Sequence, residues 1–444
     1  MSTCAVSRLT IISSRAAALL CAAIAGMASL ENRLWQWFGL WILVGVASAA
    51  MPTVWLAGVS RVAIVGGGLA GAALAVALRR SHLKVALVEH GPPRRPAGWD
   101  QRIYAYSPAS AAFLADLGVW AHLDHARLTP VAEMQIHGDA GGELCFSAFE
   151  SGIGELAWIG ESNLVHLELW ESLKRQHNVT LLCPAIPEAL DAAENSATVR
   201  LQDGRILTAA LLVGADGRDS WVRRVVGIGA SVTPYQEMGV VANFRSELPH
   251  RGTAFQWFMA EGVLAWLPLA DGMVSMVWSA ADALAAELLE LPERNFCERV
   301  AAAGGNRLGR LELVTPRAAF PLRLMRTETV VRPRIALIGD AAHAIHPLSG
   351  HGINLGFQDA QALADVLGAL PAWRDPGELT VLRSYARRRA EEPFLLQYAT
   401  HGLSRLFASN NPLLGSLRNV GLNLTGRLPV LKNVLVRYAA TGRF

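Results

Sequence analysis

Gly339-Asp-Ala-Ala-His-Ala-Ile-His-Pro-Leu-Ser-Gly-His-Gly-Ile-Asn-Leu-Gly-Phe-Gln-Asp359 joins an apolar, strand-like run to a helical pattern through a loop rich in glycine. The run 334–338 before it predicts a buried parallel strand that ends at Gly339 and Asp340. A loop with so little side-chain bulk lets backbone N–H groups approach a flat or anionic ligand, and the helix start adds a positive dipole end. We therefore predict that this loop holds the reactive ring of a cofactor.

A second strand-to-helix junction matches the pattern G-x-G-x-x-G. It comprises a strand, three glycines, a helix and a second strand: 61–65, Gly66 with Gly68 and Gly71, 72–80, and 84–88. Gly66 permits the tight turn, Gly68 lets a pyrophosphate approach the backbone, and Gly71 lets the helix pack on the strand. Glu89 ends the second strand, where an acid accepts hydrogen bonds from the ribose hydroxyls. The complete unit predicts a dinucleotide-binding α/β fold.

A third junction repeats this logic. The pair 197–201 and 205–212 flanks Asp203-Gly204, which predicts a hairpin. Its second strand runs into Val213-Gly-Ala-Asp-Gly-Arg-Asp-Ser220 and ends at Asp216 beside Gly217. An isolated Asp-Gly pair is usually a turn. In a chain with a dinucleotide-binding unit, a second carboxylate at the end of a strand predicts another contact to the cofactor.

The centre of the chain predicts a second sheet. Segments 131–136 and 143–147 alternate around a glycine-containing turn and indicate a hairpin. The aromatic-rich stretch 235–279 alternates over several strands, typical of an antiparallel sheet with one buried face. Such aromatics are more often core than pocket, but an apolar sheet over a cofactor suits a hydrophobic substrate. Helices are expected at 281–289 and 294–303.

Both termini are unusually apolar. No charged residue occurs from 34 to 60, and 34–51 alone is nearly long enough to span a bilayer. Two interpretations of this extension remain open: it is a membrane anchor or hairpin, or translation starts downstream near Met51. A cleaved export signal fits the rest of the chain less well. Segment 403–440 is apolar and basic without an acid, which indicates amphipathic helices that either lie on a membrane surface or pack on the core. The helix expected over 379–398, kinked near Pro393, carries the basic cluster 387–389, interpreted as a solvated face.

Composition excludes some classes of function. The formal net charge is +3, and no block of Lys and Arg with interleaved aromatics occurs, which argues against a nucleic-acid partner. The five cysteines are scattered without C-x-x-C or metal-type spacing, so we expect reduced cytoplasmic thiols and no metal site. A hydrophobic share of 52% is high for a soluble enzyme.

Taken together, these motifs resemble the three fingerprints of the single-component FAD-dependent aromatic hydroxylases, the p-hydroxybenzoate hydroxylase-like group. The phrase 346–359 and the tail 406–442 most resemble the ring hydroxylases of ubiquinone biosynthesis. The resemblance implies an α/β fold: a Rossmann-like FAD-binding domain with an inserted antiparallel-sheet substrate domain and C-terminal helices. The implied boundaries are 1–58 for the extension, 61–130, 158–230 and 318–400 for the FAD domain, 131–157 and 231–317 for the substrate domain, and 401–444 for the C-terminal helices.

The resemblance also implies a set of FAD-binding residues. They are Gly66, Gly68, Leu69, Ala70, Gly71, Glu89, Arg102, His166, Asp216, Gly217, Asp340, Pro347, Gly350, Gly352, Ile353, Asn354 and Leu355. His351 and His166 stand where the family often has glutamine, and both make the site titratable. No general base is assignable: His343, His346 and His351 are candidates, although the first two could simply brace the loop.

The implied activity is hydroxylation of an aromatic ring with NAD(P)H and O2 through a C4a-hydroperoxide of the flavin, with a prenylated phenol of ubiquinone biosynthesis as substrate. NAD(P)H would bind transiently, since no second G-x-G-x-x-G occurs. We expect a cytoplasmic protein, peripheral to or anchored in the inner membrane, that contacts the membrane surface and other quinone-biosynthesis proteins. The alternatives are a related flavoprotein acting on a soluble aromatic acid or a prenyl chain, and a non-catalytic flavin-binding protein at the membrane.

Overall fold

The computed structural model describes residues 56–95, 97–139, 141–344 and 352–390, together with Val436. Nearly all of these residues belong to one compact unit, which takes in Ala57–Asp203 and continues from Leu207. The expectations for most of the N-terminal extension and for the C-terminal helices concern residues outside this set. The domain boundaries stay predictions.

The described strands, in chain order, are β1 (Leu56–Val65), β2 (Val85–Val88), β3 (Ile103–Tyr106), β4 (Thr129–Val131), β5 (Glu133–His137), β6 (Glu143–Ser147), β7 (Ala157–Glu161), β8 (Val179–Leu182), β9 (Pro187–Ala192), β10 (Ala197–Leu201), β11 (Ile206–Gly214), β12 (Ala230–Ser246), β13 (Thr253–Met259), β14 (Gly262–Leu269), β15 (Met273–Ala281), β16 (Leu311–Leu313), β17 (Ala318–Thr327), β18 (Val331–Arg332), β19 (Ile335–Leu337) and β20 (His343–Ala344).

The described helices are α1 (Leu69–Ala77), α2 (Pro108–Asp116), α3 (Ser162–Lys174), α4 (Trp221–Val225), α5 (Asp282–Glu290), α6 (Glu293–Ala303), α7 (Gly352–Gly368) and α8 (Leu379–Arg388), with 3-10 turns at Leu78–Arg80, Trp120–His122, His125–Arg127 and Gly339–Ala341. No helix within these described ranges is long and apolar enough to cross a membrane.

The first sheet has the strand order β18-β19-β11-β1-β2-β8, with β10 and β9 attached beside β11. The pairs β1 with β2, β2 with β8, and β11 with β19 are parallel. The short β-branched and aliphatic runs read from the sequence form these strands, and β2 is buried along its whole length. Helices α1, α3 and α7 cover one face of this sheet in a continuous apolar core. The dinucleotide-type α/β fold is therefore confirmed.

The second sheet has the order β20-β17-β12-β15-β14-β13-β5-β6, with β16 beside β12. It differs from the expectation in two respects. The pair β13 with β5 is parallel, because the early hairpin β5–β6 adds alongside a strand from later in the chain. The expectation of one buried face is wrong, since β13 is buried at six consecutive positions, Thr253–Phe258. Helices α5 and α6 pack on one face of the sheet, and the other face is covered in part by the small sheet β3-β7-β4.

Candidate functional site

The three motif loops lie at neighbouring strand ends of the first sheet. Ala215 N donates to Val65 O (2.8 Å) and Ile338 N donates to Gly214 O (3.0 Å), so β1, β11 and β19 end side by side. A Cβ built on Gly339 would lie 3.3 Å from the Ala70 Cβ, which brings the first and third motifs into contact. The sequence prediction that the three motifs share one site agrees with this geometry.

The first loop is shaped by close backbone approach. Gly66 has φ +105°, and a Cβ there would lie 2.3 Å from Ala215 O. A Cβ on Gly71 would lie 2.0 Å from Gly66 O, so only glycine allows α1 to pack this closely. Gly68 has no neighbour within 4 Å of its missing Cβ. It also begins α1 without a side-chain cap, which leaves the first-turn N–H groups available to an anion.

Glu89 and His166 hold the first loop from two sides. Glu89, 8% exposed, accepts from Gly67 N (2.5 Å) and from His90 N (2.9 Å). The Nε2 atom of His166 lies 2.7 Å from Gly67 O and must donate to it, since a carbonyl can only accept. Burial lowers the pKa of His166, against the opposing effects of the Gly67 carbonyl and Glu89. The neutral ring with its proton on Nε2 therefore braces the peptide at Gly67.

Asp216 and Gly217 lie at the end of β11 as predicted, but the Asp216 carboxylate bonds within the protein. Its Oδ1 accepts from Ser220 Oγ (2.5 Å) and its Oδ2 accepts from Val222 N (3.0 Å), which caps the start of α4. Gly217 has φ +80°, a conformation that favours glycine. The buried Arg223 donates to Ala341 O (2.9 Å) and ties this loop to the third motif.

Asp340 presents an open carboxylate. It follows β19 in a 3-10 turn, its side chain is exposed, and no hydrogen bond to its carboxylate is formed by the described residues. Although the side chain reaches solvent, the protein atoms around it displace part of its hydration and raise its pKa, and the charges of Arg218 and His343 oppose that rise. A carboxylate held in a recess without a partner is suited to accept hydrogen bonds from ligand hydroxyl groups.

Beneath this turn lies a buried ionic group, here called the Asp359 brace, formed by Asp359, His343 and Arg389. Asp359 on α7 is 1% exposed. Its Oδ2 accepts from Gly339 N (2.8 Å) and His343 Nε2 (2.7 Å), and its Oδ1 accepts from Arg389 Nε (2.7 Å). Burial opposes ionisation of both Asp359 and His343, but their mutual attraction lowers the pKa of the aspartate and raises that of the histidine. Arg389 lowers the pKa of Asp359 further and opposes the rise of the His343 pKa. The brace fixes the backbone that carries Asp340.

Arg389 corrects one expectation. The cluster 387–389 was interpreted as a solvated helix face, and Arg387 and Arg388 are indeed exposed. Arg389 is only 8% exposed, because it turns inward to Asp359. His343 is likewise engaged with Asp359, which matches the bracing role left open for it rather than that of a free base.

The predicted ring-loop residues on α7 differ in what their side chains do. Asn354 accepts from Ser107 N (2.9 Å) and donates to Ala105 O (2.9 Å), so its amide joins α7 to β3 and α2. Leu355 is 1% exposed and packs inward. Gly352 and Ile353 are half-buried at the start of α7. His346, Pro347, Gly350 and His351 lie outside the described residues, and their roles stay predictions.

The segment before β3 carries Arg102, whose side chain is exposed. Its backbone is held on both sides: Arg102 N donates to Asp100 Oδ1 (3.0 Å), and Ser162 N donates to Arg102 O (2.8 Å). Glu161, which is buried, accepts from Asp100 N (2.6 Å) and pairs with Arg127 (2.7 Å). Arg102 is therefore presented on a fixed backbone with an accessible guanidinium.

The second sheet closes the site with the face turned away from α5 and α6, here called the inner face. Because Val240, Ala242 and Phe244 pack with those helices, the alternate residues of β12 lie on the inner face. From that face Asn243 Nδ2 donates to Asp100 O (2.9 Å). Strand β20, three residues after Asp340, pairs with β17 of the same sheet. The inner face and the motif loops are thus directly connected.

A row of directly paired inner-face residues is open. Val241 pairs with Val277, and Val277 pairs with Ala265. All three are half-buried, although they sit on central strands of a large sheet. On either side of Val277 along β15, Ser275 and Ser279 are 1% and 3% exposed. The row is a patch of apolar surface beside the motif loops.

Sequence reasoning missed the side chains that hold the loops: Asp359, Arg223, Glu161 and Arg127. One signal was available. Asp359 falls on the apolar stripe of α7 between Phe357 and Ala360, both fully buried, where a carboxylate requires a partner. The identity of that partner, thirty residues further along the chain, carried no comparable signal.

The residues fit FAD. The helix start at Gly68 has no side-chain cap and can bind a pyrophosphate. Glu89 follows the neighbouring strand β2, where an acid contacts a ribose in this type of fold. Asp340, without a partner among the described residues, can bind the hydroxyl groups of the ribityl chain. The distances among Gly66, Gly71 and Ala215 leave no room for a side chain at either glycine, so the first loop keeps close to the end of β11.

Comparisons with known proteins agree. A family model described as an FAD-binding domain matches residues 60–393. The 3-demethoxyubiquinol 3-hydroxylase of Escherichia coli is 33% identical over 386 residues, which cover 86% of this chain and 98% of that protein. The human mitochondrial ubiquinone biosynthesis monooxygenase COQ6 is 32% identical over 431 residues, covering 85% of this chain and 92% of that protein. The crystal structure of p-nitrophenol 4-monooxygenase PnpA from Pseudomonas putida matches with a TM-score of 0.72 at 19% identity, covering 87% of this chain and 99% of that one, and supports the fold alone.

The fold and the three converging loops define a flavoprotein of the p-hydroxybenzoate hydroxylase-like type. The chain belongs to the FAD-binding-domain family, and it is an FAD-dependent monooxygenase. The resemblance drawn from the three motifs is confirmed.

Proposed function

We propose that this protein hydroxylates the aromatic ring of a prenylated phenol in ubiquinone biosynthesis, with FAD as cofactor, NAD(P)H as reductant and O2 as co-substrate. The relatives named for ubiquinone biosynthesis support this substrate class, because the chain matches nearly their whole length. The observation that carries the proposal is the open apolar row Val241, Val277 and Ala265 beside the motif loops. An apolar floor next to the cofactor site suits a hydrophobic ring better than an aromatic acid.

FAD, when bound, supplies the redox chemistry: it accepts electrons from NAD(P)H and transfers one oxygen atom of O2 to the ring. The chain supplies binding and orientation. We assign the pyrophosphate to the N–H groups at Gly68, Leu69 and Ala70, the ribose to Glu89, and the ribityl chain to Asp340. Arg102, on its fixed backbone, supplies positive charge at the rim. Gly217 and the Asp216 backbone border the cofactor, while the Asp216 carboxylate shapes their loop.

The protein's second task is to keep water away from the reacting atoms. The inner face of the second sheet performs it, since its open row Val241, Val277 and Ala265 is apolar and β12 is held to the Asp100–Arg102 segment by Asn243. Proton transfer remains assigned to His346 or His351 as candidates. His343 is engaged in the Asp359 brace and holds its proton on the nitrogen facing Asp359.

We assign no separate pocket to NAD(P)H among the described residues and propose that it binds only transiently. Because the substrate is hydrophobic, we propose that the protein works at the membrane surface, alongside other quinone-biosynthesis proteins. Flotation with liposomes tests this part: co-migration of full-length protein with anionic vesicles supports it, and protein left entirely at the bottom of the gradient contradicts it.

The central test uses purified protein with FAD and a prenylated phenol carrying a short, soluble chain. We expect a yellow protein whose NAD(P)H oxidation is stimulated by the phenol, and a product one oxygen atom heavier that carries label from isotopically labelled O2. Stimulation by a soluble aromatic acid alone would overturn the substrate assignment. A protein that binds FAD but oxidises no NAD(P)H with any phenol would instead favour a binding role.

Deletion of the gene gives the matching test in cells. Mass spectrometry of quinone intermediates should show an under-hydroxylated prenylphenol, whose structure names the ring carbon. The gene carrying Asp340→Asn should fail to restore the quinone, whereas Gln202→Leu, a change at an exposed glutamine in the turn after β10, should restore it. An unchanged quinone profile after deletion would contradict the proposal.

A further inference from the structure

The open row on the inner face reaches a polar residue. Ala265 on β14 pairs directly with Gln256 on β13, so the row continues as Val241, Val277, Ala265 and Gln256 across four strands. Cβ atoms of directly paired residues lie about 4.5–5.5 Å apart. Gln256 pairs in turn with Ile136 on β5. The row therefore places one amide next to a strip of three apolar residues, within reach of a substituted aromatic ring that lies on them.

Gln256 is 4% exposed, and its side-chain amide forms no hydrogen bond with any of the residues that the structure describes. An amide removed from water without a partner is unfavourable, so native proteins rarely keep one without a reason. Nothing in the sheet requires glutamine here, because the neighbours Ala254 and Phe258 on the same strand face are apolar. The unpartnered amide lowers the stability of the folded protein, and a hydrogen bond to a ligand would offset that loss.

The Gln256 amide also borders open space. Fully enclosed side-chain atoms without a partner include Asn243 Oδ1 and the indole nitrogens of Trp266 and Trp278, but neither atom of the Gln256 amide. Its directly paired neighbour Ala265 is short and half-buried, which leaves room above the row. The amide is thus within a buried residue yet accessible from the side of the apolar row.

We infer that Gln256 is a specificity-determining residue that hydrogen-bonds an oxygen substituent of the substrate ring, a hydroxyl or methoxy group, while Val241, Val277 and Ala265 contact the apolar part. This inference rests on the proposed function and adds a residue and a chemical group to it. An amide both donates and accepts, so it binds a phenolic hydroxyl by either role and a methoxy oxygen through its N–H.

The test replaces Gln256 by leucine, which has similar length and no hydrogen-bonding group, with Gln202→Leu as the exposed control. The probes are two short-chain prenylphenols, one with an added methoxy group and one without it. Each protein is assayed for FAD affinity, for unfolding temperature, and for kcat and KM with both probes.

We expect Gln256→Leu to keep FAD affinity and to unfold at an equal or higher temperature, since an unpartnered buried amide has been removed. Its KM should rise about 10-fold for the oxygen-substituted probe, the loss of one hydrogen bond in an enclosed site, and its preference between the probes should shrink accordingly. Gln256→Asn, which is shorter but retains the amide, should fall between the two.

The outcomes separate the two claims. If wild-type protein turns over a prenylphenol but Gln256→Leu keeps the same KM and preference within twofold, the role of Gln256 is overturned and the proposed function stands. A lowered unfolding temperature with an unchanged preference would mark Gln256 as structural and also overturn the inference. If no prenylphenol stimulates or binds the wild-type protein, the proposed function fails, and this inference fails with it.

Discussion

Replacing Gly71 by alanine is expected to force α1 away from the first motif loop. The added Cβ would lie 2.0 Å from Gly66 O, whereas ordinary contact begins at 3.4 Å. The helix or the loop must therefore move by about 1.4 Å, a backbone displacement that no side-chain rotation can avoid. Overpacking of this kind costs about 1–3 kcal/mol. At about 2 °C per kcal/mol for a chain of this size, the FAD-free protein should unfold about 2–6 °C lower.

The same displacement should weaken FAD binding, because it moves the N–H groups that are assigned to the pyrophosphate. A loss of about 1.4 kcal/mol corresponds to a tenfold increase in Kd, and we expect at least that. FAD affinity is measured by titration of flavin fluorescence, and stability by thermal unfolding of the FAD-free protein.

Gly68→Ala is the matched control three residues earlier. No atom lies within 4 Å of its missing Cβ, and its φ of −66° suits any residue. The FAD-free protein should unfold within about 1 °C of wild type, yet FAD affinity should fall, since the methyl group fills space assigned to the pyrophosphate. Wild-type stability in Gly71→Ala would refute the steric argument. Unchanged FAD affinity in Gly68→Ala would refute the placement of the pyrophosphate.

Three further changes have defined outcomes. Asp340→Asn should raise the unfolding temperature of FAD-free protein at neutral pH, because the folded state raises the pKa of Asp340 and so disfavours its charge, and should weaken FAD binding; a lowered unfolding temperature would contradict this. The folded state raises the pKa of His343, so its stabilising pair with Asp359 is fully present below about pH 6.5 and is lost as pH rises through the higher folded pKa. The stability difference between wild type and His343→Gln should accordingly shrink on the alkaline side, and a pH-independent difference would oppose it. His166→Gln should keep the bond to Gly67 O and change FAD affinity less than about threefold, whereas His166→Leu should weaken it about tenfold; equal affinities in both variants would show that the bond does not matter.

Much of the fold was readable because strand ends and glycines carry their own signal. Spacing alone pointed to Gly66 and Gly71, where the backbone leaves no room for a Cβ, and to Glu89, which follows β2 and accepts from Gly67 N. The pairing of β13 with β5 was not readable, because a parallel contact between distant segments leaves no local pattern. The local sequence predicts where strands end and where glycine is needed, whereas long-range pairing decides which strands become neighbours in the second sheet.

The side-chain roles were less predictable than the positions. Asp216 and Asn354 stand at the predicted places, but their polar atoms bond to Ser220, Val222, Ser107 and Ala105. A short polar residue in a loop has several equivalent partners within reach, and only the assembled structure selects among them. For Arg389 the prediction was wrong in the other direction: a residue expected in solvent is buried. The composition of a basic cluster does not show which of its members turns inward.

The Asp359 brace also marks how far the chain can be shortened. Arg389 follows the last turn of α8 and supplies the charge that balances Asp359 Oδ1 in the interior. A protein cut at residue 388 would keep every motif loop yet leave that carboxylate without its guanidinium, at a cost of about 3–5 kcal/mol for a broken buried pair. One cut at residue 390 would retain the pair. The structural support of the third motif loop therefore extends to a single arginine fifty residues beyond Gly339.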